Sequence, residues 1–280
     1  MPIAEIPAMR SASNYPTVKG AGVVLLLTAI PLVFAGFLSE RTLAKWPLLL
    51  GELALLVPAY FYMRRRRLDY RVIFRLRPVG GRIIGVSVMI GFALTVLALE
   101  VDRLVSLLLP FPEEWEAILQ RTLRADGARE WIIMILSAVV FAGVFEEMLF
   151  RGFVQNAFEQ RHQPAFAIFI TAILFGAVHL NPWWFLQFIF IAFILGVLAW
   201  KSDSIIPGAI VHAQNNLTAL LLNNLTEETS NPLLGWQGHV HPLLLLAAIA
   251  ALAYGLWLFY RYCEEEVQIP TFLNTPLSQT

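Results

Sequence analysis

The sequence predicts an all-α polytopic membrane protein, a bundle of about eight transmembrane helices, and three observations carry that prediction. Hydrophobic residues make up 58% of the 280-residue chain and charged residues only 14%, against about half and about a quarter in soluble domains. Apolar runs lie near 20–39, 46–63, 83–99, 131–150, 164–182, 183–200, 204–224 and 240–260, each close to the roughly 20 residues that cross a bilayer. Polar separators punctuate them: RRRRLDYR after the second run, PFPEEWEAILQRTLRADGARE before the fourth, RHQP before the fifth, KSDS before the seventh and TEETSNP before the eighth. One domain is expected, with an N-terminal tail at 1–19, an eight-helix unit at 20–262 whose motif core is 131–224, and a C-terminal tail at 263–280, polar and disordered at its end.

The first run follows a polar stretch instead of a short cleavable signal, so it reads as a retained helix. After the second run, the arginine-rich loop from Arg64 to Arg82 fixes the expected orientation, because cytoplasmic loops collect Lys and Arg. Eight spans then put both termini and the loops near Arg161 and Lys201 on the cytoplasmic side. With zero formal net charge, no global field argues for nucleic acid, and the RRRR run is a topology signal. Only NPWW divides the fifth and sixth runs, and its Trp183 and Trp184 fit an interfacial aromatic belt. The lone Cys263, just past the last run, excludes an intrachain disulfide.

Ionisable residues inside spans are functional candidates, since each costs at least about 2.5 kcal/mol near the bilayer centre. They are Glu52 in the second span, Glu146, Glu147 and Arg151 in the fourth, His179 in the fifth, and His212 with Asn215 and Asn216 in the seventh. Glu147 and Arg151, four apart with the acid first, make an intrahelical pair. Glu146 is rotated from Glu147 by about 100° and has no such partner. If the turn between the fourth and fifth helices falls at HQP, Glu146 and His179 reach the same depth, nearer the cytoplasmic face, and a cavity opening to that side is expected. His212 and Asn216 share a face one turn apart, whereas Asn215 points elsewhere as a helix-packing group. Phe175, one turn before His179, either shields the site or simply packs the core. Glu52 has no partner by spacing, and His162, His239 and His241 are expected to face solvent.

A lone buried carboxylate with two histidines and a carboxamide suits a glutamate-activated water, with His212 and Asn216 donating to the oxyanion of an attacked carbonyl. That describes amide hydrolysis without a covalent intermediate, a cofactor or a metal. A zinc held by Glu146, His179 and His212 remains the alternative chemistry, although no H-E-x-x-H motif occurs. A proton-coupled transporter and a non-catalytic scaffold or immunity protein are the alternative functions.

These residues resemble a known family. EEMLFR is similar to the E-E-x-x-x-R motif, FGAVH to the F-x-x-x-H motif and HAQNN to the H-x-x-x-N motif of the CAAX-protease and bacteriocin-processing family. These are intramembrane glutamic endopeptidases that include the type II CAAX prenyl proteases. The resemblance implies that Glu146 and His179 activate water, that His212 and Asn216 form the oxyanion site, and that Glu147 and Arg151 support the first motif. It implies a membrane-anchored protein or peptide as substrate, the lipid bilayer as surroundings, no nucleic acid, and a bacterial-type plasma membrane with both termini cytoplasmic. Neither the substrate's identity nor a prenyl requirement follows from it.

Overall fold

A computed structural model describes residues 14–225 and 235–268. The expected N-terminal tail up to Ser13, the TEETSNP separator and the polar C-terminal end lie outside the described residues. The described chain is helical: α1 Val18–Thr42, α2 Trp46–Leu55, α3 Val57–Arg66, α4 Tyr70–Ile73, α5 Gly81–Leu108, α6 Glu113–Leu123, α7 Ala128–Met134, α8 Gln155–Glu159, α9 Pro164–Val178, α10 Phe185–Ser202, α11 Ile206–Leu225 and α12 Pro242–Gln268. α7 and α8 are the ends of one helix, Ala128–Glu159, whose middle is wound more widely as π-helix over Ile135–Glu146 and Met148–Val154. Such widening in a helix often accompanies function.

Every expected span contains a helix, but six helices among the described residues are long and apolar enough to cross a membrane: α1, α2 with α3, α5, α7 to α8, α10 and α12. The protein is an integral membrane protein. Large apolar side chains remain exposed along α1 and α12, with Leu26 74% and Leu243 70% accessible, as a lipid-facing surface requires. α9 has only 15 residues, about 22 Å at 1.5 Å per residue. Its expected continuation to residue 182 fails because Leu180 turns left-handed, with φ 51°, and Asn181 Oδ1 accepts hydrogen bonds from the amides of Trp183 and Trp184. α11 falls short for its polarity, which comes from His212, Gln214, Asn215, Asn216, Asn223 and Asn224. Cys263, expected past the last run, is buried inside α12.

Alternate traversal gives the bundle two faces. The arginine face carries the start of α1, the loop after α3, and the α8–α9 and α10–α11 turns. It is tied together where Arg75 meets Glu159 and, at 3.1 Å, Asn156 Oδ1, while Asn156 donates to the Ile73 carbonyl. The opposite face carries α6, the NPWW turn and the start of α12. There Lys45 Nζ donates to the Arg121 and Thr122 carbonyls at 2.6 and 2.9 Å, closing the C-terminus of α6. Asn224 secures the same corner, donating to the Leu123 carbonyl and accepting from the Ala125 amide. His239, expected to face solvent, instead meets Glu100 at 2.8 Å on this face. Between the faces, α11 packs on the π-wound helix closely enough that a Cβ on Gly143 would lie 3.1 Å from the Ala213 side chain.

Burial decides which ion pairs matter. The Arg75 side chain is 3% exposed and its Glu159 partner 12%, whereas Arg82 and Glu265 are 75% and 45% exposed. Removing one member of a buried pair strands the other charge and costs about 3 kcal/mol or more, while surface pairs contribute about 0–1 kcal/mol. Arg75→Ala therefore lowers the thermal midpoint in detergent well beyond Arg82→Ala, and equal midpoints in paired melts would refute that ranking.

Candidate active site

Glu146 ends the first π-wound stretch with its side chain 12% exposed, and its Oε2 lies 3.9 Å from His179 Nε2 and 3.8 Å from His212 Nε2. Those separations exceed a direct hydrogen bond. His179 caps the C-terminus of α9, and its Nδ1 sits 2.7 Å from the Phe175 carbonyl, which can only accept. The Nδ1 proton is thereby assigned, and Nε2 faces Glu146. His212 is oriented the same way by a different group, with Nδ1 3.0 Å from Glu147 Oε1.

Glu147 also receives Arg151, whose Nη1 is 2.8 Å from the same Oε1; both side chains are at most 1% exposed. That contact is close but off the hydrogen-bond line, since Arg151 Nη1 has no geometrically sound acceptor, so its character is ionic. Arg151 Nη2 donates to the Ala192 carbonyl on α10, and the guanidinium carbon stands 4.6 Å from the centre of the Phe175 ring. Phe175 is buried, with ring centres 4.7 Å from His179 and 5.8 Å from His212. It both shields and packs. On α11, Gly208 leaves room for Glu147, because a Cβ there would come within 2.7 Å of Glu147 Oε2.

A cavity of ≈ 1020 Å³ borders Glu146, Phe175, His179, His212 and Asn216. It runs to exposed rim residues Glu116, Arg124 and Leu225, so it opens at the face opposite the arginine-rich loop. The sequence expectation of an opening on the arginine side is overturned. Glu146 and His179 do lie side by side, but the direction of opening depends on which helix ends pack shut, and the Arg75, Asn156 and Glu159 contacts fill the arginine side.

Three further expectations change. Asn215, expected to point elsewhere, lines the cavity. Asn216 lines it too but commits one amide hydrogen to the Ala138 carbonyl at 2.8 Å, leaving one for other use. Glu52, set aside for want of a partner, is close enough to Glu146 for the two carboxylates to interact electrostatically, and the Oε2 atoms of both are buried without a protein partner. Asp102, missed because the third span was ended at 99, lines the cavity from the extension of α5 to Leu108. Trp184 also turns into the cavity, while Trp183 donates to the Pro110 carbonyl. Among the described residues no three His, Cys, Asp or Glu side chains gather in a group that could hold a metal ion.

The model of the Rce1-like type II CAAX prenyl endopeptidase family matches residues 128–218. That segment contains Glu146, Glu147, Arg151, His179, His212 and Asn216, about a third of the chain. No curated protein and no solved structure gives a significant match. The match is to the family whose motifs the sequence carries, and it supports a CAAX-protease-like membrane protein in general terms.

Gly208→Ala puts a methyl group against the Glu147 carboxylate, and we expect it to lower the thermal midpoint by displacing the shared Glu147, His212 and Arg151 contacts. Glu147→Asp, one methylene shorter, restores part of that loss in the Gly208→Ala background. Additive destabilisation in the double-mutant cycle would mean that the two positions do not press on each other.

Proposed function

We propose that this protein is an intramembrane endopeptidase that hydrolyses a peptide bond of a membrane-anchored protein or peptide with a water activated by Glu146 and His179. The observation that carries this reading is the convergence of Glu146 Oε2 with the Nε2 atoms of His179 and His212 beside a cavity. A carboxylate and an imidazole lone pair are both acceptors, and a gap of 3.9 Å between them suits one bridging water that donates to each.

In the proposed reaction the water oxygen attacks the carbonyl carbon as its proton passes to Glu146, and the carbonyl π pair moves onto oxygen. The oxyanion takes hydrogen bonds from His212 Nε2–H and from the remaining Asn216 amide hydrogen. When the C–N bond breaks, Glu146 delivers its proton to the leaving amine. His212 can donate at Nε2 only with both ring nitrogens protonated, because Glu147 already takes the Nδ1 proton. Charge then balances within the site, with Arg151 and His212 against Glu146 and Glu147.

On this reading the arginine-rich face and both termini are cytoplasmic, the membrane is of bacterial plasma-membrane type, and substrates reach the cavity from the other side. The deciding assay uses purified protein in detergent and a library of membrane-anchored peptides, comparing wild type with Glu146→Gln, each with and without a strong zinc chelator. Wild type should cut and Glu146→Gln should be slower by about 10²-fold or more, with chelation changing neither. Cleavage lost on chelation and restored by zinc would assign Glu146, His179 and His212 to a metal instead. No cleavage by a folded wild type would shift the function to a scaffold or immunity protein, or to a transporter recognised by proton flux in vesicles.

A further inference from the structure

One face of α11 follows the cavity from the catalytic locus towards the mouth. His212, Asn216, Ala219 and Asn223 all line it, and at 100° per residue their steps of four, three and four keep them within about 60° of one another. The carboxamides of the cavity wall divide by what they already hold. Asn224 is spent on the Leu123 and Leu220 carbonyls and the Ala125 amide, and Gln187 donates to the Ala98 carbonyl. Those are helix-packing contacts. Asn223 borders the cavity and makes no side-chain hydrogen bond to the described residues, and the same holds for Asn215, which lies off the row by about 60° from His212. Inside a membrane protein, a carboxamide that serves no helix contact calls for another partner. Ala219, between Asn216 and Asn223, is exposed and offers only a methyl group, so a bound chain can lie close against α11 there.

We propose that Asn223 is a positioning residue that hydrogen-bonds the main chain of the substrate and holds it extended along α11. The proposal rests on the protease reading in one respect, that the attacked carbonyl lies at His212 and Asn216. From Asn216 to Asn223 the helix rises about 10 Å, the reach of about three residues of extended polypeptide. Asn223 therefore meets the main chain about three residues from the bond that is cut. Its carboxamide carries a donor and an acceptor, the same pair that each peptide unit presents. A peptide unit inside a helix already has both engaged, so the segment selected is an unwound one, whatever its side chains. Asparagine adds no charge, and its amide hydrogens serve a terminal carboxylate as readily as a peptide carbonyl. The contact thus sets conformation and register, for a chain that ends in the cavity and for one that continues through its mouth.

The test pairs substitutions in the protein with single-atom changes in a peptide. The probe is the tightest binder from the library of membrane-anchored peptides, selected on full-length Glu146→Gln protein in detergent so that nothing is cut. Each amide of the probe is replaced in turn by an ester, which removes one N–H donor, and affinity is read by fluorescence anisotropy. One ester should weaken binding about five-fold, and adding Asn223→Ala should abolish that difference while leaving the other esters unaffected. Asn223→Asp, which keeps the acceptor oxygen, should preserve the difference, and so should Asn215→Ala, which lies off the row. If Asn223→Ala fails to fold, Asn223→Leu, of similar shape, makes the same comparison. With wild type and the all-amide peptide, the cut bond should lie about three residues from the sensitive amide, and Asn223→Ala should raise KM with kcat little changed. No ester whose effect depends on Asn223, a sensitive amide far from the cut bond, or no library member bound each overturn the proposal. The two readings fail separately. Coupling to Asn223 without cleavage by wild type refutes the protease and leaves the main-chain contact standing, whereas cleavage without coupling refutes the contact alone.

Discussion

The buried contact among Arg151, Glu147 and His212 is the constraint on which the site depends. A guanidinium with 1% exposure inside a membrane protein is tolerable only if its charge is answered locally. The answers come from four directions: Glu147 on its own helix, the Ala192 carbonyl from α10, the Phe175 ring from α9, and His212 from α11 acting through Glu147. Each tie fixes a helix against the π-wound one. Glu147 thus serves as the hub that sets which way the His212 ring points, and Gly208 is the space that lets α11 come close enough for it.

Once His212 and His179 are held by their Nδ1 atoms, their Nε2 atoms are left for Glu146. The two anchors differ in kind, a carboxylate for one ring and a backbone carbonyl for the other. A carbonyl holds His179 through its Nδ1 proton and turns Nε2 towards Glu146. A carboxylate can support a second proton on His212. Two rings anchored by different groups therefore flank the same carboxylate, an asymmetry that suits the water activation and oxyanion binding proposed above.

How much of this was legible in the sequence depended on whether a feature follows from spacing along one helix or from packing between several. The Glu147–Arg151 pair and the common depth of Glu146 and His179 follow from helix rise and a single turn, and the structure has both. The His212–Glu147 contact had a weaker trace. Both residues stood out as polar in apolar spans, but their facing rotation comes from how α11 docks, and no single-helix period encodes that. Glu52 was invisible as a partner of Glu146 because α2 reaches the π-wound helix only in three dimensions. Asp102 and α6 were hidden by a hydropathy rule that closes a span at its first charges, although α5 continues regularly to Leu108. The end of α9 was written in LNPWW all along, as an asparagine able to cap two amides followed by a proline.

The opening of the cavity is the clearest case of a property that no local signal holds. A cavity between helices opens at whichever end their termini fail to meet. On the arginine face the termini meet through Arg75, which reaches Asn156 and Glu159, with Ser204 donating to the Arg77 carbonyl beside them. Those ties draw the α8–α9 and α10–α11 turns onto the loop after α3. On the other face α9 stops short, and the chain must spend 179–184 to reach α10. A 15-residue helix flanked by longer ones leaves a gap at one end, and α6 lies across that gap as an amphipathic cover held at its C-terminus by Lys45 and Asn224. The shortness of α9 therefore has two effects with one cause. It sets His179 at a helix end, where its ring can turn back onto the Phe175 carbonyl, and it leaves space at the end of the bundle through which the cavity reaches Glu146.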